Sequence, residues 1–206
     1  MKLLPIRSIR LATCGLILLA TAPLTAATVW NETSDGDISN NRLTPTAVTL
    51  GVGGNDVIGS VVGSPSDIDY LTINVPAGDK LSQIVLESFT STDQKGFIGI
   101  LHGSTFTEPA VGTNVANLLG YTHFGPGAGN VGLDILPSMG TGPGAQGFTA
   151  PLATGNYTLW IQQLGALTSY DFNFVVSPVP EPSTWALAGT AAGLYALVFR
   201  RRQART

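Results

Sequence analysis

Two pairs of aspartates, Asp35 with Asp37 and Asp67 with Asp69, are the residues of this chain whose type and spacing best suit a chemical task. Alternate aspartates in a turn present hard carboxylate oxygens at the spacing that calcium loops use. No cofactor is assigned, and calcium is the one ion for which the sequence offers candidate ligands, Asp35, Asp37, Asp67 and Asp69. The same spacing also serves turns in which Asp side chains bond nearby backbone amides. An EF-hand is excluded, because the twelfth position counted from Asp35 or Asp67 is Thr46 or Gly78 and not the bidentate glutamate that such a loop requires.

The remaining reactive residue types give no catalytic constellation. The two histidines, His102 and His123, stand at no recognised ligand spacing, even with Asp134 nearby in sequence. There is no Gly-x-Ser-x-Gly, and the only cysteine, Cys14, lies in an N-terminal segment expected to be removed. Among the 13 acidic residues sequence favours no pair as the two carboxylates of a glycoside hydrolase. No catalytic residue is assigned and a noncatalytic protein is expected. Trp160 alternates with Leu159 and Ile161 and can face outward, a placement suited to stacking on a sugar ring. Tyr121 and His123 join it as candidate ligand contacts, and a second buried layer is the competing reading.

The charges are divided along the chain. Seven of the ten basic residues lie at the ends, whereas residues 28–181 hold all 13 acidic residues against Arg42, Lys80 and Lys95, a formal charge of −10. Such a field repels polyanions, so no nucleic-acid partner is expected.

The two ends are addressing segments. Lys2, Arg7 and Arg10 precede an apolar run from Leu11 to Ala20 and a small-residue exit at Thr25-Ala26-Ala27, the three parts of a secretory signal. This predicts a signal helix over residues 1–27, cleaved by signal peptidase. At the other end Pro180-Glu181-Pro182 is followed by an apolar run of 15 residues, Trp185 to Phe199, and then by Arg200, Arg201 and Arg202. At ~1.5 Å per residue the run gives about 22 Å of helix. Extended to residues 184–199, with tryptophan at one interface and arginines snorkelling to the other, it is expected to span a membrane. The arginines orient it with the tail inside.

The Pro-Glu-Pro motif, short membrane helix and basic end, in that order over residues 178–206, resemble the PEP-CTERM sorting signal of exported bacterial proteins. The resemblance implies recognition by an exosortase, with Pro180, Glu181 and Pro182 as the matching positions. It also implies anchoring in the inner membrane before processing, then residence at the cell surface or in an extracellular matrix. Two prolines keep the segment extended, as a protease groove requires.

Between these signals, residues 28–177 are expected to form one all-β domain, an antiparallel β-sandwich of jelly-roll-like type with seven to nine strands. Asp69, Leu71, Ile73 and Val75 alternate with Tyr70, Thr72 and Asn74 before the turn Pro76-Ala77-Gly78-Asp79. Leu81–Phe89 and Gly96–Leu101 are predicted to pair through the turn at 91–95. Tyr157–Gln163 and Tyr170–Val176 are predicted as a C-terminal hairpin, and Ala47–Leu50 and Val57–Val62 as earlier strands. Residues 111–147 interrupt the pattern with ten glycines. Their apolar islands at 118–121 and 131–136 predict partial packing.

Ser34-Asp35-Gly36-Asp37, Asp67-Ile68-Asp69-Tyr70 and Val75-Pro76-Ala77-Gly78 together resemble the start of a bacterial pre-peptidase C-terminal domain over residues 30–176. The resemblance implies a small β-sandwich, some of whose members bind calcium or polymeric substrates. The expectation is an exported, exosortase-sorted surface protein with a noncatalytic module for adhesion or association with extracellular polysaccharide. The alternatives are a secreted polysaccharide-acting hydrolase and a calcium-dependent carbohydrate-binding module.

Overall fold

The computed structural model describes residues 25–63 and 66–180, together with residue 190. Most of the predicted signal segment, Glu181, Pro182, nearly all of the predicted membrane segment and Arg200, Arg201 and Arg202 lie outside the described residues. Among the described residues no helix is long and apolar enough to cross a membrane.

Nine strands among the described residues form two packed sheets. They are β1 (Ala27–Asn31), β2 (Thr46–Thr49), β3 (Asn55–Val61), β4 (Asp69–Val75), β5 (Asp79–Thr90), β6 (Gly96–His102), β7 (Gly120–Phe124), β8 (Gly155–Gln162) and β9 (Thr168–Pro178). One sheet has the order β1-β3-β9-β5 and the other β2-β4-β8-β6-β7. The molecule is an all-β sandwich, as the alternating apolar patterns predict.

The expected antiparallel, jelly-roll-like pattern needs correction. Both sheets are mixed, because β1 pairs in parallel with β3 and β2 in parallel with β4. The first four strands alternate between the sheets, so each returns beside its predecessor but one after crossing the other layer. A crossover of this kind brings the chain back in the same direction. The two predicted hairpins are corrected for the same reason. β5 and β6 lie in different sheets, as do β8 and β9. Their connections run between layers about 10 Å apart and do not close a ladder.

Leu71, Ile73, Val75, Tyr157, Leu159 and Ile161 of the five-stranded sheet meet Val57, Leu81, Ile84, Phe172, Phe174 and Val176 of the other in the principal core. Along β9 the side chains Tyr170, Phe172, Phe174 and Val176 are all buried on the inner face, as period-two alternation requires. A second, smaller core lies on the outer face of the five-stranded sheet and holds Ile68, Tyr70, Leu101, Phe106, Leu118 and Trp160.

The glycine-rich stretch closes one flank of the molecule. It contains β7 and the short helix α2 (Leu136–Gly140), and buries Leu118, Leu119, Ile135, Leu136 and Met139. Gly120 and Gly140 allow this packing, since a Cβ at Gly120 would lie 2.3 Å from the Met139 carbonyl oxygen and one at Gly140 would lie 2.2 Å from that of Phe148.

Candidate functional site

Four of the acidic residues converge at the end of the sandwich where β9 begins. The short helix α1 (Glu32–Asp35) follows β1 directly, with Asn31 as its cap: the Asn31 side chain accepts the Thr33 amide at 3.0 Å. Asp35 closes this turn by accepting the Asn31 amide at 2.8 Å. It therefore serves the backbone and is not brought into the carboxylate group. Gly36, at φ 95°, then turns the chain towards Asp37, a conformation that favours glycine.

Glu32 takes the place that sequence spacing had given to Asp35. Its Oε1 accepts the Ile38 amide at 3.2 Å, and its Oε2 accepts the Ser60 amide at 2.7 Å and the Ser60 hydroxyl at 3.1 Å. A carboxylate thus bridges α1 to β3. Asp69 stands at the first inner-face position of β4 and is fully buried. Its Oδ2 accepts the hydroxyl of Tyr170, which crosses from the opposite sheet, whereas its Oδ1 is buried without a hydrogen-bond partner. One carboxylate oxygen from each of Glu32, Asp37 and Asp69 lies within 4.8 Å of the others. Asp67, just before β4, also has a buried Oδ1 without a partner.

Burial in a corner crowded with like charges raises three of these four carboxyl groups. Burial pushes Asp69 up to about 9 against the Tyr170 hydrogen bond, and the charges of Glu32, Asp67 and Asp37 add to the rise. Burial also raises Glu32 despite its amide hydrogen bonds, and burial with the Asp37 charge raises Asp67. The only sequence sign of Glu32 as a member is the helix-start pattern Asn31-Glu32-Thr33-Ser34-Asp35.

The aromatic candidates gather on the outer face of the five-stranded sheet. Trp160 does point away from the principal core, but it is only 3% exposed. Phe97 packs on it at 4.7 Å between ring centroids and Phe106 at 5.6 Å. An exposed stacking platform at Trp160 is therefore corrected to a buried anchor, because the segment after β6 folds back over the indole. Tyr121 stacks on Phe97 at 5.7 Å and donates its hydroxyl to the Pro143 carbonyl at 2.9 Å.

Of the three candidates, His123 alone borders an open cleft. The cleft has a volume of about 600 Å³ and includes Lys95, Phe97, His123, Gln162 and Leu164 in its wall. Phe97 was not singled out by sequence, although Gly99, two residues on along β6, leaves its ring room. Asp93 also borders the cleft, but its Oδ2 already accepts Gln163 Nε2 at 2.6 Å and the Ala166 amide at 3.0 Å. It ties together the two connections that cross between the sheets.

At the opposite end of β9 the chain leaves the sandwich. The Val179 amide donates to the Gly78 carbonyl at 2.8 Å, and Pro180 follows. Residues 178–202 match the family model of the PEP-CTERM protein-sorting motif. The motif implies an exported protein that transits a membrane and has an exosortase as its processing partner. No curated protein matches the chain. The resemblance of the middle region to a pre-peptidase C-terminal domain finds no support in any family model.

Proposed function

We propose that this chain is a surface or extracellular-matrix protein whose β-sandwich is a noncatalytic module for adhesion or association with extracellular polysaccharide. One observation carries the reading. The match to the sorting motif starts at Pro178, the last residue of β9, while the cleft lies beside the connection that leads into Thr168, the first. At ~3.3 Å per residue, eleven residues of strand separate the two by about 30 Å. A chain held or transferred at the motif thus presents its cleft away from the point of attachment.

The composition of the cleft favours holding a glycan over cutting one. Phe97 offers an apolar ring, and His123, Gln162 and Lys95 offer polar groups at its edge, the combination that small-ligand sites use for contact and orientation. Asp93 is the single carboxylate in its wall and is engaged with Gln163 and Ala166. Glycoside hydrolysis needs two carboxyl groups facing across the bond.

Incubation of the exported protein with a panel of extracellular polysaccharides separates the readings. Retention without release of sugar fragments is expected, and Phe97→Ala is expected to weaken retention by roughly tenfold, since a lost stacking contact is worth about 0.5–1.5 kcal/mol beyond its buried area. Release of fragments would establish the hydrolase instead, and absence of retention across the panel would remove polysaccharide as the ligand.

A further inference from the structure

We propose that Glu32, Asp37 and Asp69 form a divalent-cation site, selective for calcium, that latches the N-terminal segment of the domain onto the sandwich. Three independent features of the structure support the site. A carboxylate oxygen of each residue lies within 4.8 Å of the other two. Oxygens that share one calcium ion at ~2.3–2.6 Å can be separated by at most about 5 Å, so a single ion can reach all three. Asp69 is fully buried, and its Oδ1 has no hydrogen-bond partner although the other oxygen is engaged by Tyr170. Such a group costs free energy unless something positive meets it.

The third feature is a graded approach from solvent. Asp37 is exposed, Glu32 is half-buried and Asp69 is buried, so an ion can be met at the surface and drawn inward, as a functional metal site requires. Glu32 is held in position by the Ile38 amide and by both the amide and the hydroxyl of Ser60. Its remaining lone pairs stay available, since each carboxylate offers about four acceptor positions. The ligand set is all oxygen, which excludes a site designed for zinc or copper and suits calcium or magnesium. Irregular carboxylates from separate segments suit calcium, because magnesium demands near-ideal octahedral geometry.

The ligands come from α1, from the loop that follows it and from the first residue of β4. An ion shared among them fastens residues 27–38 to both sheets, because Glu32 bonds β3 of the four-stranded sheet and Asp69 belongs to β4 of the five-stranded one. The N-terminal strand β1, which has only β3 beside it in its sheet, then gains a second attachment through its neighbouring turn.

The test uses the full chain in detergent and two probes, calcium and terbium. Calcium is expected to raise the melting temperature over a chelator control by about 5 °C or more at saturating concentration. Terbium is expected to show luminescence sensitised by the nearby Tyr170 and to be displaced by calcium. Asp37→Asn, at an exposed position that should leave the fold intact, is expected to weaken calcium binding at least tenfold and to leave the chelator melting temperature within about 1 °C. Glu32→Gln should weaken binding similarly. Superimposed melting curves with calcium and chelator would overturn the site, as would terbium luminescence unaffected by Asp37→Asn. An equal response to magnesium would overturn the calcium selectivity.

Discussion

At Gly59 the four-stranded sheet omits a side chain so that Tyr170 can reach across to Asp69. A Cβ built there would lie 2.5 Å from the tyrosine hydroxyl oxygen and 2.7 Å from Cζ. Gly59→Ala should therefore destabilise the protein by roughly 1–3 kcal/mol, the usual cost of forcing extra volume into a packed interior, as read from urea unfolding. A loss below about 0.5 kcal/mol would show that the ring yields without cost. Tyr170→Phe tests the same contact from the other side, since it leaves both oxygens of buried Asp69 without a partner. A destabilisation of about 1–3 kcal/mol is expected. Sequence spacing made Asp37, Asp67 and Asp69 legible as an acidic group, because short-range patterns survive without knowledge of the fold. It could not show Glu32 and Ser60 meeting across 28 residues, nor that Asp35 would be used by its own turn.

The elements were legible where period-two alternation is strong. β4 matches its predicted bounds exactly as Asp69–Val75, and β8 and β9 deviate by one or two residues at their ends. Pairing was not legible, because alternation reveals which side chains share a face but not which strand lies alongside. β7 was hidden among glycines and β1 beside the signal segment. The outer face of the four-stranded sheet illustrates what pairing adds. It brings Asp171 of β9 near Asp56 of β3 and Glu87 of β5, and Asp171 Oδ1 is buried without a partner. Burial, then the charges of Asp56 and Glu87, push Asp171 up to about 6. A carboxyl group raised above its ordinary value of ~3.9 binds more protons in the folded than in the unfolded state. Its stabilising contribution is complete below about pH 4 and is lost as pH rises through about 6. Asp171→Asn should accordingly melt higher than the wild type at pH 7.5, with the difference shrinking towards pH 4. A difference that is independent of pH would mean that the carboxyl group titrates normally.

For the whole molecule, the sorting motif was legible because it is written as contiguous composition, whereas the cleft depends on side chains gathered from two connections and from β6, β7 and β8. The same contiguity makes processing measurable as charge. The full chain has a formal charge of −3. Loss of the expected signal segment would remove Lys2, Arg7 and Arg10 and leave −6. Loss of the tail after residue 181 also removes Arg200, Arg201, Arg202 and Arg205 and leaves −10. Each cut would therefore strip cations from an acidic domain and shift its isoelectric point downward, an effect on solubility and association that does not depend on the fold. Isoelectric focusing of the protein from a host with an active exosortase should show the most acidic species. The same protein from a host lacking the enzyme should stop at the intermediate one. Identical focusing positions in the two hosts would mean that the Pro-Glu-Pro segment is retained, and that the basic tail continues to offset the acidity of the sandwich at the membrane.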